Sequence, residues 1–239
     1  MYIPKQYEVT DLAKQIEVIQ KNPLGILFTA RKSNSGLLSY VLGGSSDAVD
    51  SELCATHLPF LFVEGKGGQK HKLIAHMAAK NGQIAHLEES GRVLIVFQGP
   101  HSYMSPSWCP TKKKTHKVVP GWYYATLHVY GTPKIIRDKK WLLDQVSQLS
   151  DQEEGKRPEG AEFEEKWKVT DAPERVIDAK LNGVVGVEIE ISDMQCKFRF
   201  GQEMSKEDIE GVIHGFEHEL GGEHGADLAN IARECYSSR

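Results

Sequence analysis

The chain has 239 residues, enough to bury a core without disulfides or a structural metal. Its 40% hydrophobic and 26% charged residues are those of a globular protein, which excludes a disordered or fibrous chain. A formal net charge of -4 and a pI of about 6.2 argue against bulk electrostatic binding of nucleic acid, while leaving room for a local basic patch. Cys54, Cys109, Cys196 and Cys235 lie far apart and form no CxxC pair, the pattern of reduced thiols. The opening MYIPKQYEVTD has no apolar signal core, and no run approaches the roughly 20 apolar residues that span a membrane. The expectation is a soluble, cytoplasmic, β-rich protein.

In chain order, Thr10 to Asn22 reads as a helix with Thr10 as N-cap and Leu12, Ala13, Ile16 and Ile19 on one face. Asn22-Pro23 stops it, and Leu24 to Arg31 follows as a strand. Gly36 to Ser51 reads as a hairpin or loop insertion. Leu53 to Glu64 is a long apolar strand, and Gly65 to Lys70 a glycine-rich turn. His71 to Met77 is a strand that runs into a short helix through Lys80. Val93 to Gln98 is apolar almost without interruption, as for a strand buried on both faces. Trp122 to Arg137 is another long strand, and Asp138 to Leu149 an amphipathic helix. Asp151 to Lys166 is acidic and reads as a solvated connection. Pro173 to Leu181 is a helix with proline at its start, and Val184 to Ile191 a strand. Helices over Ser205 to Leu220 and Ala226 to Tyr236 are separated by Gly221-Gly222. One domain over 1–239, with a helical extension from about residue 203, accounts for this pattern.

Four segments carry polar residues that chemistry can use. His214 to His218, HGFEH, matches the H-x-x-E-H pattern of inverted zinc proteases and puts two histidines on one helix face. A catalytic zinc needs a third protein ligand on another element, and only 15 residues follow His224, so no metal is expected. Lys112 to Lys117, KKKTHK, lies between two proline-containing stretches and reads as a solvated loop. Phe97 to Pro110 follows a buried strand and groups Gln98, Ser105 and Trp108, suited to stacking on a flat heterocycle and bonding its polar edge. Thr56 and His57 sit inside an apolar strand. His76, Lys80 and Asn81 fall where a strand passes into a helix, a place that suits a phosphate. No GxGxxG and no P-loop is present.

Taken in order, MYIPKQY, CATHLPFLF, HMAAKN, VLIVFQGPHSYMSPSWCP, WYYATLHVYG and VVGVEIEI resemble the PaiB-type family of FMN-binding negative transcriptional regulators. The resemblance covers Met1 to about Gly215, and the block from Gln98 to Trp108 is its most specific part. It implies a mixed α+β fold, an FMN-binding split β-barrel related to pyridoxamine-phosphate oxidases, with C-terminal helical additions. It also implies a homodimer with FMN at the subunit interface. Thr56, His57, His76, Lys80 and Asn81 would then lie near the flavin phosphate and ring, and Gln98, Ser105 and Trp108 would line the same cleft, from the other subunit. The chain departs from the family's K-x-K-x-S-Q-N-R motif: Lys197 and Gln202 fit, but Glu203 and Met204 replace the Asn and Arg.

The function expected from this resemblance is flavin binding with a regulatory role. The alternatives are a flavin-dependent oxidoreductase, a haem-binding split barrel with His57 or His76 as axial ligand, and a zinc hydrolase on HGFEH. No general acid or base stands out by spacing, and DNA as a partner rests on the family analogy alone.

Overall fold

The computed structural model describes residues 1–30 and 53–237. The Gly36 to Ser51 insertion lies outside the described residues. The elements are α1 (Leu12–Lys21), β1 (Leu24–Ala30), β2 (Leu53–Pro59), β3 (Leu61–Val63), β4 (Lys72–Ala78), α2 (Gln83–Glu89), β5 (Val93–Met104), α3 (Pro110–Thr115), β6 (Gly121–Ile136), α4 (Lys139–Gly155), α5 (Glu174–Leu181), β7 (Val184–Arg199), α6 (Lys206–Gly215) and α7 (Gly222–Ser237). The strands form one sheet with the hydrogen-bonded order β2-β1-β5-β6-β7-β4-β3. The chain divides into two compact units, one made of Met1–Lys21, Phe97–His128 and Gln195–Arg239, the other of Asn22–Val96 and Val129–Met194. The long strands β5, β6 and β7 contribute residues to both.

In the second unit, strand alternation does most of the sorting. Leu27 and Thr29 of β1, Leu73, Ala75 and Met77 of β4, and Val185, Val187 and Ile189 of β7 are all buried. Their spacing of two places each set on one face of its strand. β1 pairs antiparallel with β2, and β4 with β7. Helix α2 packs on β1 and β2, burying Ile84 and Leu87. It also buries Gln83, whose Nε2 donates to Leu27 O at 3.0 Å, Thr29 Oγ1 at 3.1 Å and Cys54 O at 3.2 Å. One amide thus ties a helix to two strands. Helix α4 packs on β4, and its Trp141 ring lies where a side chain on Gly186 would have to go. Glycine at this position lets the indole lie against the sheet backbone.

The first unit packs helices on the other ends of the long strands. Ser205 caps α6, its Oγ accepting from Asp208 N at 3.3 Å. Asp208 in turn accepts from Thr111 N at 2.9 Å, anchoring α3. Phe216 is fully buried, and Tyr123 and Trp108 meet it edge-on at 6.0 and 5.4 Å. After Phe216–Leu220, a wider turn of π type, Gly221 and Gly222 take φ of 68° and 64°, a left-handed region that ends the helix and starts α7. Helix α7 therefore begins at Gly222, earlier than the expected Ala226.

Several boundaries differ from the sequence reading. Asp11, not Thr10, caps α1, accepting from Ala13 N at 2.8 Å and Lys14 N at 3.4 Å. The strand expected over Leu53 to Glu64 breaks at Phe60, which is fully buried and donates its N–H to Pro23 O at 2.8 Å. Lys80 lies in a turn, and the helix begins only at Gln83. Asn81 Oδ1 accepts from Gln83 N at 2.9 Å, so the Asn-Gly pair makes a turn before the helix. Helix α4 runs into the acidic stretch as far as Gly155, with Asp138 accepting from Trp141 N at 2.8 Å as its cap. The lysine run is not a loop: Lys112, Lys113 and Lys114 sit on α3, and Lys114 pairs with Glu207 at 2.8 Å.

Two substitutions test this packing. Gln83→Leu keeps the volume but leaves two carbonyls and a hydroxyl without the amide, and should lower stability by about 1–3 kcal/mol in urea unfolding; an unchanged midpoint would show that the amide ties nothing. Gly186→Ala should cost about 1–3 kcal/mol by overpacking, and the loss should shrink when combined with Trp141→Leu. Strictly additive effects would mean that the indole does not press on this glycine.

Candidate functional site

In the second unit, neighbouring residues of β2 point to opposite sides of the sheet. Thr56 is paired across from Leu27 on the face that α2 covers, and its Oγ1 accepts from Asn81 Nδ2 at 3.2 Å. His57 is exposed on the other face, across from Ile26. There Ile26 and Phe28 of β1 and Leu94 and Val96 of β5 are half-buried and directly paired. They make a flat apolar surface with His57 at its side. Thr56 and His57 were expected at one site; alternation along a strand places them on different faces.

Lys80 is exposed beside Asn81 in the turn after β4 and makes no ion pair among the described residues. The turn thus sets an exposed lysine next in sequence to the Asn81 amide that bonds the Thr56 hydroxyl, three groups of the kind that hold a phosphate. His76 does not join them. It stands on β4, and its Nδ1 donates to Gln145 Oε1 of α4 at 2.8 Å. Gln145 is buried, and its Nε2 has no partner among the described residues. This bond fixes the imidazole by one nitrogen and leaves Nε2 as its working atom. Gln83 and Gln145 were not singled out from the sequence, because a glutamine in an amphipathic helix gives no local sign that its amide is buried.

In the first unit, Gln98 is exposed between buried Phe97 and Gly99. Ser105 is used locally: its Oγ accepts from Ser107 N at 3.2 Å, starting the single turn that carries Trp108. Trp108 is turned onto α6. Its ring lies where a side chain on Gly215 would be, and its Nε1 donates to Glu219 Oε2 at 2.7 Å. Packing against Phe216 and this bond occupy much of the indole, so it serves the helical layer. The sequence reading missed a second aromatic group here. Trp122 is 51% exposed, stacks on His101 at 6.0 Å and donates Nε1 to His101 Nδ1 at 3.3 Å. A separate cavity of about 920 Å³ is lined by Tyr7, Val9, Lys14, Phe198, Gln202 and Cys235, none of them among the expected site residues.

Other reactive groups are spoken for. His214 and His218 lie with ring centroids 4.3 Å apart, but the Glu217 carboxylate between them pairs with Arg233 at 2.5 Å, which holds its pKa below the usual range. No group of three metal-ligating side chains occurs among the described residues. All four cysteines are free thiols. Burial pushes Cys109 and Cys235 up to about 11 and Cys196 up to about 12. No described helix is long and apolar enough to cross a membrane.

Comparison with known proteins agrees with this architecture. The chain is 50% identical to the Saccharomyces cerevisiae protein YKL070W over 161 residues, 67% of this chain and 94% of that protein. It is 26% identical to the Bacillus subtilis protease synthase and sporulation protein PAI 2 over 219 residues, 92% of this chain and 90% of that one. In fold it is similar to the FAD and haem binding protein from Mycobacterium smegmatis, with a TM-score of 0.52 at 13% identity, covering 87% of this chain and 80% of that one. The fold is a split barrel, shared with that protein. Residues 1–193 match the family described as "Putative FMN-binding domain", and the chain belongs to that family.

Proposed function

We propose that this chain binds FMN as a homodimer and that flavin occupancy or redox state governs a regulatory role of the PaiB type. The observation that carries the flavin part is the turn after β4, where exposed Lys80 stands beside Asn81 and Thr56. A phosphate there gains a charge-assisted bond from Lys80 and neutral donors from its neighbours. The flat face formed by Ile26, Phe28 and Val96, with His57 beside it, lies on the opposite side of the sheet from Thr56, so it suits the cover of a second subunit rather than the ring of a flavin whose phosphate meets Lys80. A bound flavin would supply one- and two-electron chemistry; the residues of this chain would hold its phosphate. The same face is only half covered within the chain, and a second subunit would complete it. The regulatory part rests on the family resemblance.

Haem binding is a second reading, supported by the exposed imidazole of His57 beside an apolar face. The absorption spectrum of the purified protein separates the two: flavin bands support the proposal, a Soret band supports the second reading. Sedimentation should show a dimer; a stable monomer with full FMN affinity would rule out a flavin site completed by the second subunit.

Lys80→Ala should weaken FMN binding by about tenfold or more, the loss of one charge-assisted phosphate bond of roughly 1.5–3 kcal/mol. Lys113→Ala, on an exposed helix beside other lysines, should change it little. Flavin titration of both variants at moderate salt makes the comparison. Equal losses, or none in either, would place the phosphate elsewhere.

A further inference from the structure

The segment from His214 to Glu219 ends helix α6 and enters the π-type turn that follows it. The residues around its two histidines are engaged by the protein. A side chain on Gly215 would meet the Trp108 ring, and Phe216 is fully buried. Glu217 pairs with Arg233, and Glu219 accepts from Trp108 Nε1. His214 and His218 themselves are exposed and make no hydrogen bond or ion pair among the described residues. Neighbouring contacts therefore fix the backbone that carries both rings, while the rings stay open to a ligand. Their centroids are 4.3 Å apart and their planes tilted by 47°. A metal about 2.1 Å from a histidine nitrogen stands roughly 3.2 Å from the ring centroid. Two imidazoles at right angles around one metal then have centroids roughly 4.5 Å apart, against roughly 5.2 Å at the tetrahedral angle of zinc. The observed 4.3 Å matches the right-angle pair. That geometry belongs to divalent copper and nickel. His218 also stands in the last turn before Gly221, at the negative end of the helix dipole, where a cation is favoured.

We propose that His214 and His218 form a two-imidazole chelate for a divalent ion of the copper and nickel class, with water in its other positions. Arg233 occupies the Glu217 carboxylate, so the segment has neither the free base nor the third protein ligand of a zinc protease. A chelate needs neither. Once one imidazole has bound the ion, the second binds it within the same molecule, at a high effective concentration. This sets the pair apart from any single exposed histidine of the chain. The site uses none of the groups assigned above to the flavin phosphate, so it stands or falls separately from that reading.

The test is calorimetric titration of the full chain with nickel, zinc and magnesium chlorides at about pH 8, where an ordinary imidazole is neutral. The proteins are the wild type, His214→Ala, His218→Ala and, as a reference outside the pair, His224→Ala. The wild type should bind nickel more tightly than zinc and should not bind magnesium, a hard cation that prefers oxygen ligands. His214→Ala and His218→Ala should each weaken nickel binding by about tenfold or more, because each leaves one imidazole without its chelating partner. His224→Ala should leave it unchanged. Saturating nickel should also raise the thermal unfolding midpoint of the wild type and of His224→Ala, and not that of the other two variants. Both positions are exposed, so these variants keep the packing intact. Wild-type nickel affinity in either His214→Ala or His218→Ala overturns the proposal. Zinc binding more tightly than nickel, or no nickel binding in the wild type, overturns it as well.

Discussion

A strand sends alternate side chains to opposite sides, and this rule organises the whole molecule. It separates Thr56 from His57, which are adjacent in sequence but belong to different surfaces. It sets Lys197 and Arg199 on one side of β7 and buries Cys196 and Phe198 on the other. It gives the second unit an interior of Leu27, Ala75 and Val187 and leaves Ile26, Phe28 and Val96 half covered. Helices then respond to what the strands present. Helix α2 covers the Thr56 side and α4 covers β4, each sending one glutamine amide inward. The ligand-binding potential lies where the helical cover stops.

Much of this was legible in the sequence. Runs such as Val93 to Gln98 and Trp122 to Arg137 carry so many β-branched and aromatic residues that their strands follow from composition and length. The split barrel came from the order of six short segments, each weak singly. The boundaries that escaped depend on distant partners. The lysine run is helical because Thr111 is held by Asp208, 97 residues further on. The break at Phe60 depends on the carbonyl of Pro23. β5 continues through Pro100 because proline's fixed φ is compatible with an extended backbone. The Lys80 turn, by contrast, was readable locally, since Asn81-Gly82 is a strong turn pair.

The candidate residues were legible as types and less so as a constellation. Asn81 bonds Thr56, and Lys80 precedes Asn81 in the turn. His76 is engaged by Gln145, and Trp108 by Glu219 and Phe216, two contacts that no spacing in the sequence announces. Lys197 was visible as part of a motif, but its cage of tyrosines comes from residues 2, 7 and 124, which only the fold assembles.

The burial of the thiols bears on how such a protein survives its own cofactor. A flavin that is reduced and then reoxidised by oxygen releases peroxide, which attacks thiolates far faster than thiols. Cys109, Cys196 and Cys235 are kept protonated by burial well above neutral pH. They offer peroxide almost no reactive form, and they cannot readily cross-link two chains.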